Sequence, residues 1–429
     1  MSPTERKPKK RPQKGRSQRD EAPPPERRER RSLSHVGGPV EKLGDDESLL
    51  EALERALTVR SDERFTLTHV HGFHSYPARL HPETAARLVA GLTRSGATVL
   101  DPFCGSGTVL VEAHRLGRRA LGVDANPLAI ELSWLKTRGF DAKERAALLE
   151  TARQVVEHAD ERRRAKAGPS RSYAAADREL FDPHVLLELD GLRDGIAKLA
   201  RGDQQRALAL VLSAILTKAS RRPGDTAERT SPRRLPGGFA IRFFERKTED
   251  LVRRLLEYSA GIPPGTPRVK LAVGDARDLE RVRDRSVDLV LTSPPYPGVY
   301  DYHSHHAARL RWLGLEDKKF EKREIGARRR AREQEPAAAV DDWRRDFGAC
   351  LAEMRRVLAP TGRAAIVIAD SAIAGRALRA DITVGELASR AGLTLAARAS
   401  QARPNFHAPS QRAFRSGPRR EHVLVFGHR

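Results

Sequence analysis

The segment 97–124 narrows the possible folds more than any other part of the chain. Residues 97–101 form a short apolar run ending in Asp101, Gly105 and Gly107 follow, 108–116 has helical periodicity, and 120–124 is a second apolar run ending in Asp124. Strand, glycine turn, helix, strand is the opening of a parallel sheet, because parallel neighbours need a crossover long enough to hold a helix. Short β-type runs at 269–273, 287–292, 364–369, 393–399 and 422–426 raise the expected strands to seven. Segments 343–358 and 384–391 read as crossover helices, and 45–57 and 82–92 as helices preceding the sheet. The expected fold is therefore α/β, a doubly wound, Rossmann-like sheet of seven strands.

Composition divides the remainder. Residues 1–34 hold twelve Lys and Arg against five acids, with prolines and almost no large apolar side chains, so a disordered basic tail is expected. Residues 35–140 and 268–429 carry the strands. Between them, 141–267 replaces the alternation with charged Ala/Leu/Arg-rich helical patterns. It reads as a mainly helical insertion between strands 2 and 3 and as the candidate for target recognition.

Net charge is +22 over 429 residues, and +15 remains without the first 34. Nucleic acid is the expected partner, since a polyanion releases counterions when it meets such a surface. The most apolar stretch, 207–216, is about half the length of a membrane span, and the first residues are charged. A cytoplasmic protein without a membrane partner is expected. Two cysteines, Cys104 and Cys350, form neither a disulfide framework nor a metal-ligand pair, and no metal is expected.

Two loops carry chemistry. In Asp101-Pro102-Phe103-Cys104-Gly105-Ser106-Gly107-Thr108, paired glycines before a helix let backbone N–H groups approach a ligand closely. No Gly-Lys-Ser/Thr follows, which excludes a P-loop, and the third glycine of a dinucleotide turn is missing. Asp124, ending the next strand, is placed to accept from both ribose hydroxyls of a nucleoside. The second loop, Thr292-Ser293-Pro294-Pro295-Tyr296-Pro297, follows another strand end. Consecutive prolines remove two N–H donors and hold nearby carbonyls as acceptors, which suits an amino group; Tyr296 offers a face for a planar ring.

These residues resemble the S-adenosylmethionine-dependent amino-methyltransferases that methylate exocyclic amines of nucleobases, most closely the DNA cytosine-N4 and adenine-N6 enzymes. The 101–108 loop is similar to their cofactor loop, which implies cofactor contacts for Asp101, Phe103, Gly105, Gly107 and Thr108. Gly122-Val123-Asp124 resembles their ribose-binding acid, and Val273-Gly274-Asp275-Ala276 the strand end whose acid meets the adenine. Phe73-His74-Ser75-Tyr76-Pro77-Ala78-Arg79 is similar to the segment that closes over the cofactor methionine, which places Tyr76 and Pro77 there. Ser293-Pro294-Pro295-Tyr296 resembles the catalytic tetrapeptide in its Ser-initial, cytosine-N4 form. The resemblance thus implies a seven-stranded methyltransferase sheet, S-adenosylmethionine as cofactor, and a site-specific DNA methyltransferase of restriction-modification type. DNA is favoured over RNA, and cytosine N4 over adenine N6 or guanine N2.

Other features compete for attention. Cys104 is a potential nucleophile for carbon-5 chemistry, but it lies inside the glycine turn. His303, His305 and His306 are placed to line the target pocket or touch phosphate. The basic runs 318–332 and Arg221, Arg222, Arg229, Arg233 and Arg234 are candidate phosphate or base contacts.

Overall fold

The computed structural model describes residues 37–59, 66–222, 234–315, 318–373, 375–403 and 408–429; the basic segment 1–34, with Arg229 and Arg233, lies outside them. The first elements are β1 (Val40–Gly44), α1 (Glu47–Leu57), α2 (Pro82–Leu92), β2 (Thr98–Asp101), α3 (Thr108–Arg115), β3 (Arg119–Asp124) and α4 (Pro127–Thr137). Five helices follow: α5 (Ala142–Arg164), α6 (Ala175–Leu180), α7 (Pro183–Lys198), α8 (Asp203–Ala219) and α9 (Phe239–Ser259). Then come β4 (Lys270–Val273), β5 (Val287–Thr292), α10 (Tyr302–Leu313), α11 (Lys318–Arg323), α12 (Arg328–Glu333), α13 (Pro336–Val357) and β6 (Leu358–Ala369). A hairpin, β7 (Ser371–Ile373) and β8 (Arg376–Leu378), precedes α14 (Ala380–Arg390), β9 (Leu393–Ala402), α15 (Ala408–Ala413) and β10 (Arg420–His428).

The main sheet has the order β1-β9-β10-β6-β5-β2-β3-β4. Five neighbours, β6, β5, β2, β3 and β4, run parallel, while β10 inserts antiparallel between β6 and β9. Eight strands replace the expected seven. The extra one, β1, pairs antiparallel with β9 from Val40↔Gln401 to Gly44↔Ala397. Its sequence, VEKLG, is exposed except at Val40, so no buried face marks it as a strand; the backbone ladder to β9 alone makes it one.

Both sheet faces are covered, and the strands show why they read as continuous apolar runs. Along β6, Ala364, Ile366 and Ile368 enter a core under α13 and α14, while Ala365 and Val367 enter another under α1, α2 and α3. Leu424 and Phe426 on β10 join the first core, and Val423 and Val425 the second. The two-residue period thus serves two interiors at once. Helices α5 to α9 have no separate core of their own: Leu148, Leu189, Val211 and Phe244 share one cluster with Val111 of α3 and Leu128, Leu132 and Leu135 of α4. This block extends the helical layer beside the cofactor-loop helix. Among the described residues, no helix is long and apolar enough to cross a membrane.

The chain steps outward from β2 to β3 to β4, then returns with β5 on the other side of β2. That reversal leaves a crevice at the carboxyl ends of β2 and β5, where doubly wound sheets accept ligands.

Candidate active site

The two loops read from the sequence meet in this crevice. Val99 and Leu100 of β2 face Leu289 and Val290 of β5, and at the strand ends the Thr292 hydroxyl donates to Asp101 Oδ1 at 2.7 Å. Asp101 is buried and also accepts from Phe103 N at 3.1 Å; burial pushes its carboxyl up to about 7. The bond between strand ends registers the glycine loop against the Ser-Pro-Pro-Tyr loop. Thr292→Val, which removes that donor while keeping the side-chain shape, is expected to cost roughly 1–3 kcal/mol and to lower the midpoint of thermal unfolding by about 1–3 °C. Unchanged thermal unfolding would assign the clamp to the backbone alone.

The cavity between the loops encloses about 660 Å³. Tyr76, Phe103, Gly105, Asp124, Asp275, Ser293 and Pro295 line it, together with Asn126 and Tyr302. Asp101 and Thr108 line a smaller space of about 330 Å³, which shares Tyr76, Phe103, Gly105 and Ser293 with the first. Four of the expected site residues, Pro77, Gly107, Pro294 and Tyr296, do not line either space. Gly107, at φ +83°, begins α3, and a Cβ there would stand 2.8 Å from Ser133 Oγ, so it is required for packing. Tyr296 is half-buried against the core beneath α13, beside Ser293, and burial pushes its hydroxyl up to about 12.

Gly105 is the loop glycine that lines the cavity. Its φ is +51°, and a Cβ would meet Tyr76 Cε1 at 3.3 Å. Tyr76 in turn stacks on His306, with ring centroids 4.8 Å apart, and receives the Asn126 side-chain amide at 3.3 Å. Asp124 Oδ2 accepts from Gly105 N and Oδ1 from Asn126 N, both at 2.8 Å. Burial pushes this carboxyl up to about 6. Asp275 behaves differently: burial raises it, but the Arg277 fork at 2.7 and 3.0 Å outweighs that and leaves it below the ordinary range. Arg277 also pairs with Asp346 at 3.0 Å.

On the target side, the Pro295 carbonyl accepts Trp343 Nε1 at 3.3 Å, whereas no described residue donates to the Pro294 carbonyl. Cys104 is buried, its thiol raised by burial and 3.8 Å from Ser133 Oγ, an environment for an inert thiol. His306 is fully buried under Tyr76 and serves packing. Arg221 is committed to Asp182 at 2.7 Å, and Arg329 to Asp301 and Glu324 at 2.8 and 3.0 Å, which removes both from the free basic runs.

Sequence reading passed over Asn126, Tyr302 and, on the far wall, Phe320, Glu324 and Ile325, and it took the wall's Arg323 only as part of the basic run 318–332. Asn126 carried a signal: Asn-Pro directly after an acid-ended strand is an N-cap followed by proline at the first helical position, and its side chain does accept from Leu128 N at 3.0 Å. The far wall carried none, because α10 and α11 reach the cavity only through tertiary folding.

The family model of the DNA methylases matches residues 8–134. The chain is similar to this family over that segment, about 30% of its length. Three relatives are similar to it over short stretches. Type II methyltransferase M.MjaII of Methanocaldococcus jannaschii is 29% identical over 87 residues, 20% of this chain and 16% of that protein. The tRNA (guanine(10)-N2)-dimethyltransferase of Methanothermobacter thermautotrophicus is 37% identical over 82 residues, 18% and 24% of the two chains. Type II methyltransferase M2.DpnII of Streptococcus pneumoniae is 54% identical over 39 residues, 9% and 15%. The chain thus aligns with a quarter or less of each relative's length. The cavity has features that fit S-adenosylmethionine: an acid at a strand end, a glycine whose added Cβ would meet the aromatic cover, and that cover itself.

Because Asp124 is raised to about 6, its ionised form, the better acceptor for hydroxyl donors, is lost as pH falls through that value. S-adenosylmethionine binding is expected to be about tenfold weaker at about pH 5 than at about pH 8. Stability of the free protein runs the other way. A carboxyl raised on folding holds a proton that the unfolded chain releases, so its contribution is full below the unfolded value of 3.8 and is lost as pH rises through 6 for Asp124 and 7 for Asp101. Calorimetric titration and thermal unfolding at the two pH values check both signs; a pH-independent affinity would rule out Asp124 as the ribose acceptor.

Proposed function

We propose that this protein transfers a methyl group to an exocyclic amine of a nucleobase, cytosine N4 in DNA, in a site-specific manner. One observation carries the reading: Gly105 and Ser293 line one cavity, at strand ends joined by the Thr292–Asp101 bond. Bound S-adenosylmethionine supplies the electrophilic methyl group. Asp124, Asp275, Gly105 and the Tyr76 cover orient the cofactor; Asp101, Phe103 and Thr108 shape the loop around it, with Pro77 and Gly107 setting the backbone.

An exocyclic amine is a poor nucleophile because its lone pair is delocalised into the ring. Its N–H groups donate to Ser293 Oγ and the Pro294 carbonyl, which localises that pair; the Pro295 carbonyl already accepts one bond, from Trp343. No covalent intermediate on the enzyme is needed, and proximity and orientation supply much of the rate. Tyr296 positions Ser293 and offers its exposed face to the target ring. Tyr296→Ala is expected to abolish base methylation while largely sparing S-adenosylmethionine binding; a fully active variant would refute this role.

A second reading, an RNA guanine-N2 methyltransferase, is favoured by the identity with the tRNA enzyme. Mass spectrometry of nucleosides from cells with and without the gene separates the readings. N4-methylcytosine missing from genomic DNA supports the first; N6-methyladenine missing there moves the target to adenine, and a methylguanosine missing from tRNA establishes the second.

A further inference from the structure

A second cleft lies away from the cofactor cavity, between α7, α8 and the C-terminal end of α10, and spans about 1240 Å³. Its acids are matched. Glu131 pairs with Arg206 at 2.9 Å, and Asp194 takes His158 at 2.8 Å and Lys198 at 3.1 Å. Two of its arginines are not: neither Arg171 nor Arg193 has a carboxylate within 4 Å among the described residues, and Arg171 Nε, buried, has no hydrogen-bond partner.

Both side chains are nonetheless held in place. Arg171 lies 4.8 Å over the Tyr173 ring and 5.9 Å from that of Trp312, which Asp177 fixes through the indole N–H at 3.1 Å. Arg193 donates to the Trp312 carbonyl at 3.1 Å. The two guanidiniums converge on the Tyr173 hydroxyl, whose proton goes to Asp190 at 2.6 Å. Aromatic faces and a carbonyl thus orient these cations with no direct ion pair, Asp190 reaching them only across the Tyr173 hydroxyl, which leaves in-plane donors for an anion. Placing two like charges together costs free energy that a bound anion recovers, more so beside apolar walls such as Leu210 and Leu313.

Helix α10 connects this cleft to the chemistry. Tyr302 at its start lines the cofactor cavity and Trp312 near its end lines the cleft, a span of about 15 Å along the helix, or about four base-pair steps. We propose that Arg171 and Arg193 grip the phosphodiester backbone of the DNA substrate about four base pairs from the target base. This rests on the nucleic-acid methyltransferase reading and deepens it.

The test measures binding of the full-length protein to a short DNA duplex by fluorescence anisotropy, with S-adenosylmethionine present, between about 50 and 200 mM salt. The charge-removing Arg171→Gln/Arg193→Gln variant is expected to bind more weakly and to show a log affinity against log salt slope shallower by about 1.8, since each lost phosphate contact removes about 0.9. The charge-keeping Arg171→Lys/Arg193→Lys variant retains the slope, and calorimetric affinity for S-adenosylmethionine is unchanged in both. An unchanged slope in the glutamine variant, or an equal loss in the lysine variant, overturns the proposal while leaving the methyltransferase reading intact. A slope change seen with RNA but not with duplex DNA overturns the assignment of the backbone to DNA. Wild-type protein that binds no nucleic acid overturns the reading beneath it as well.

Discussion

Asp124→Ala is expected to reduce S-adenosylmethionine affinity at least a hundredfold. The carboxylate has two tasks. Inside the loop it accepts from Gly105 N and Asn126 N at 2.8 Å, so its removal leaves two buried donors unmatched at the point where the backbone must approach the ligand. Each hydrogen bond to a charged group is worth about 1.5–3 kcal/mol, and two from ribose hydroxyls to this carboxylate would together correspond to a factor of about 10² to 10⁴. Toward the cavity, the same group is the ribose acceptor of the proposed mechanism. Asp124→Asn separates the tasks, because the amide oxygen keeps one acceptor while its NH₂ faces a donor. Calorimetric titration of both variants decides the matter, and near-wild-type affinity in Asp124→Ala would remove the carboxylate from the cofactor site.

Ser293→Ala is expected to lower turnover by about 10² to 10³ with little change in cofactor affinity, the range seen when one preorganised polar partner of a reacting group is removed. Ser293 lines the cavity and stands beside Tyr296, while the neighbouring Pro295 carbonyl is already engaged by Trp343. Few acceptors remain for an amine, so losing one is not readily compensated. Steady-state kinetics on methylated nucleosides, paired with S-adenosylmethionine titration, reads the split. A parallel fall in affinity and turnover would make Ser293 a cofactor residue.

These expectations draw on both levels of description. Much of the sheet was legible because its strands, buried on both faces, are unbroken apolar runs: 287–292 appears with those bounds, and 393–399 grows only by its carboxyl end, to Leu393–Ala402. β1 was not legible, since an exposed edge strand is defined by its partner's backbone and not by its own side chains. Within the site, Gly105 and Asp124 stood out because tight turns and strand ends restrict residue type locally. Tyr302, Phe320 and Glu324 did not, because nothing in their own neighbourhood announces that they wall a cavity. The basic runs were overcounted for the converse reason: charge is visible along the chain, whereas the carboxylates that hold Arg221 and Arg329 arrive from elsewhere.

By itself the amino-acid order determined the doubly wound sheet, the two chemistry-bearing loops and the acid that follows the first. All depend on short-range rules of periodicity, glycine freedom and strand termination. Only the tertiary structure decided that β5 returns beside β2, so that loops nearly two hundred residues apart share one cavity. It also decided that Trp343 reaches the Pro295 carbonyl and that Arg171 and Arg193 have no carboxylate within 4 Å among the described residues. Those outcomes depend on which distant groups come within a few ångströms, a property of packing that no local pattern encodes.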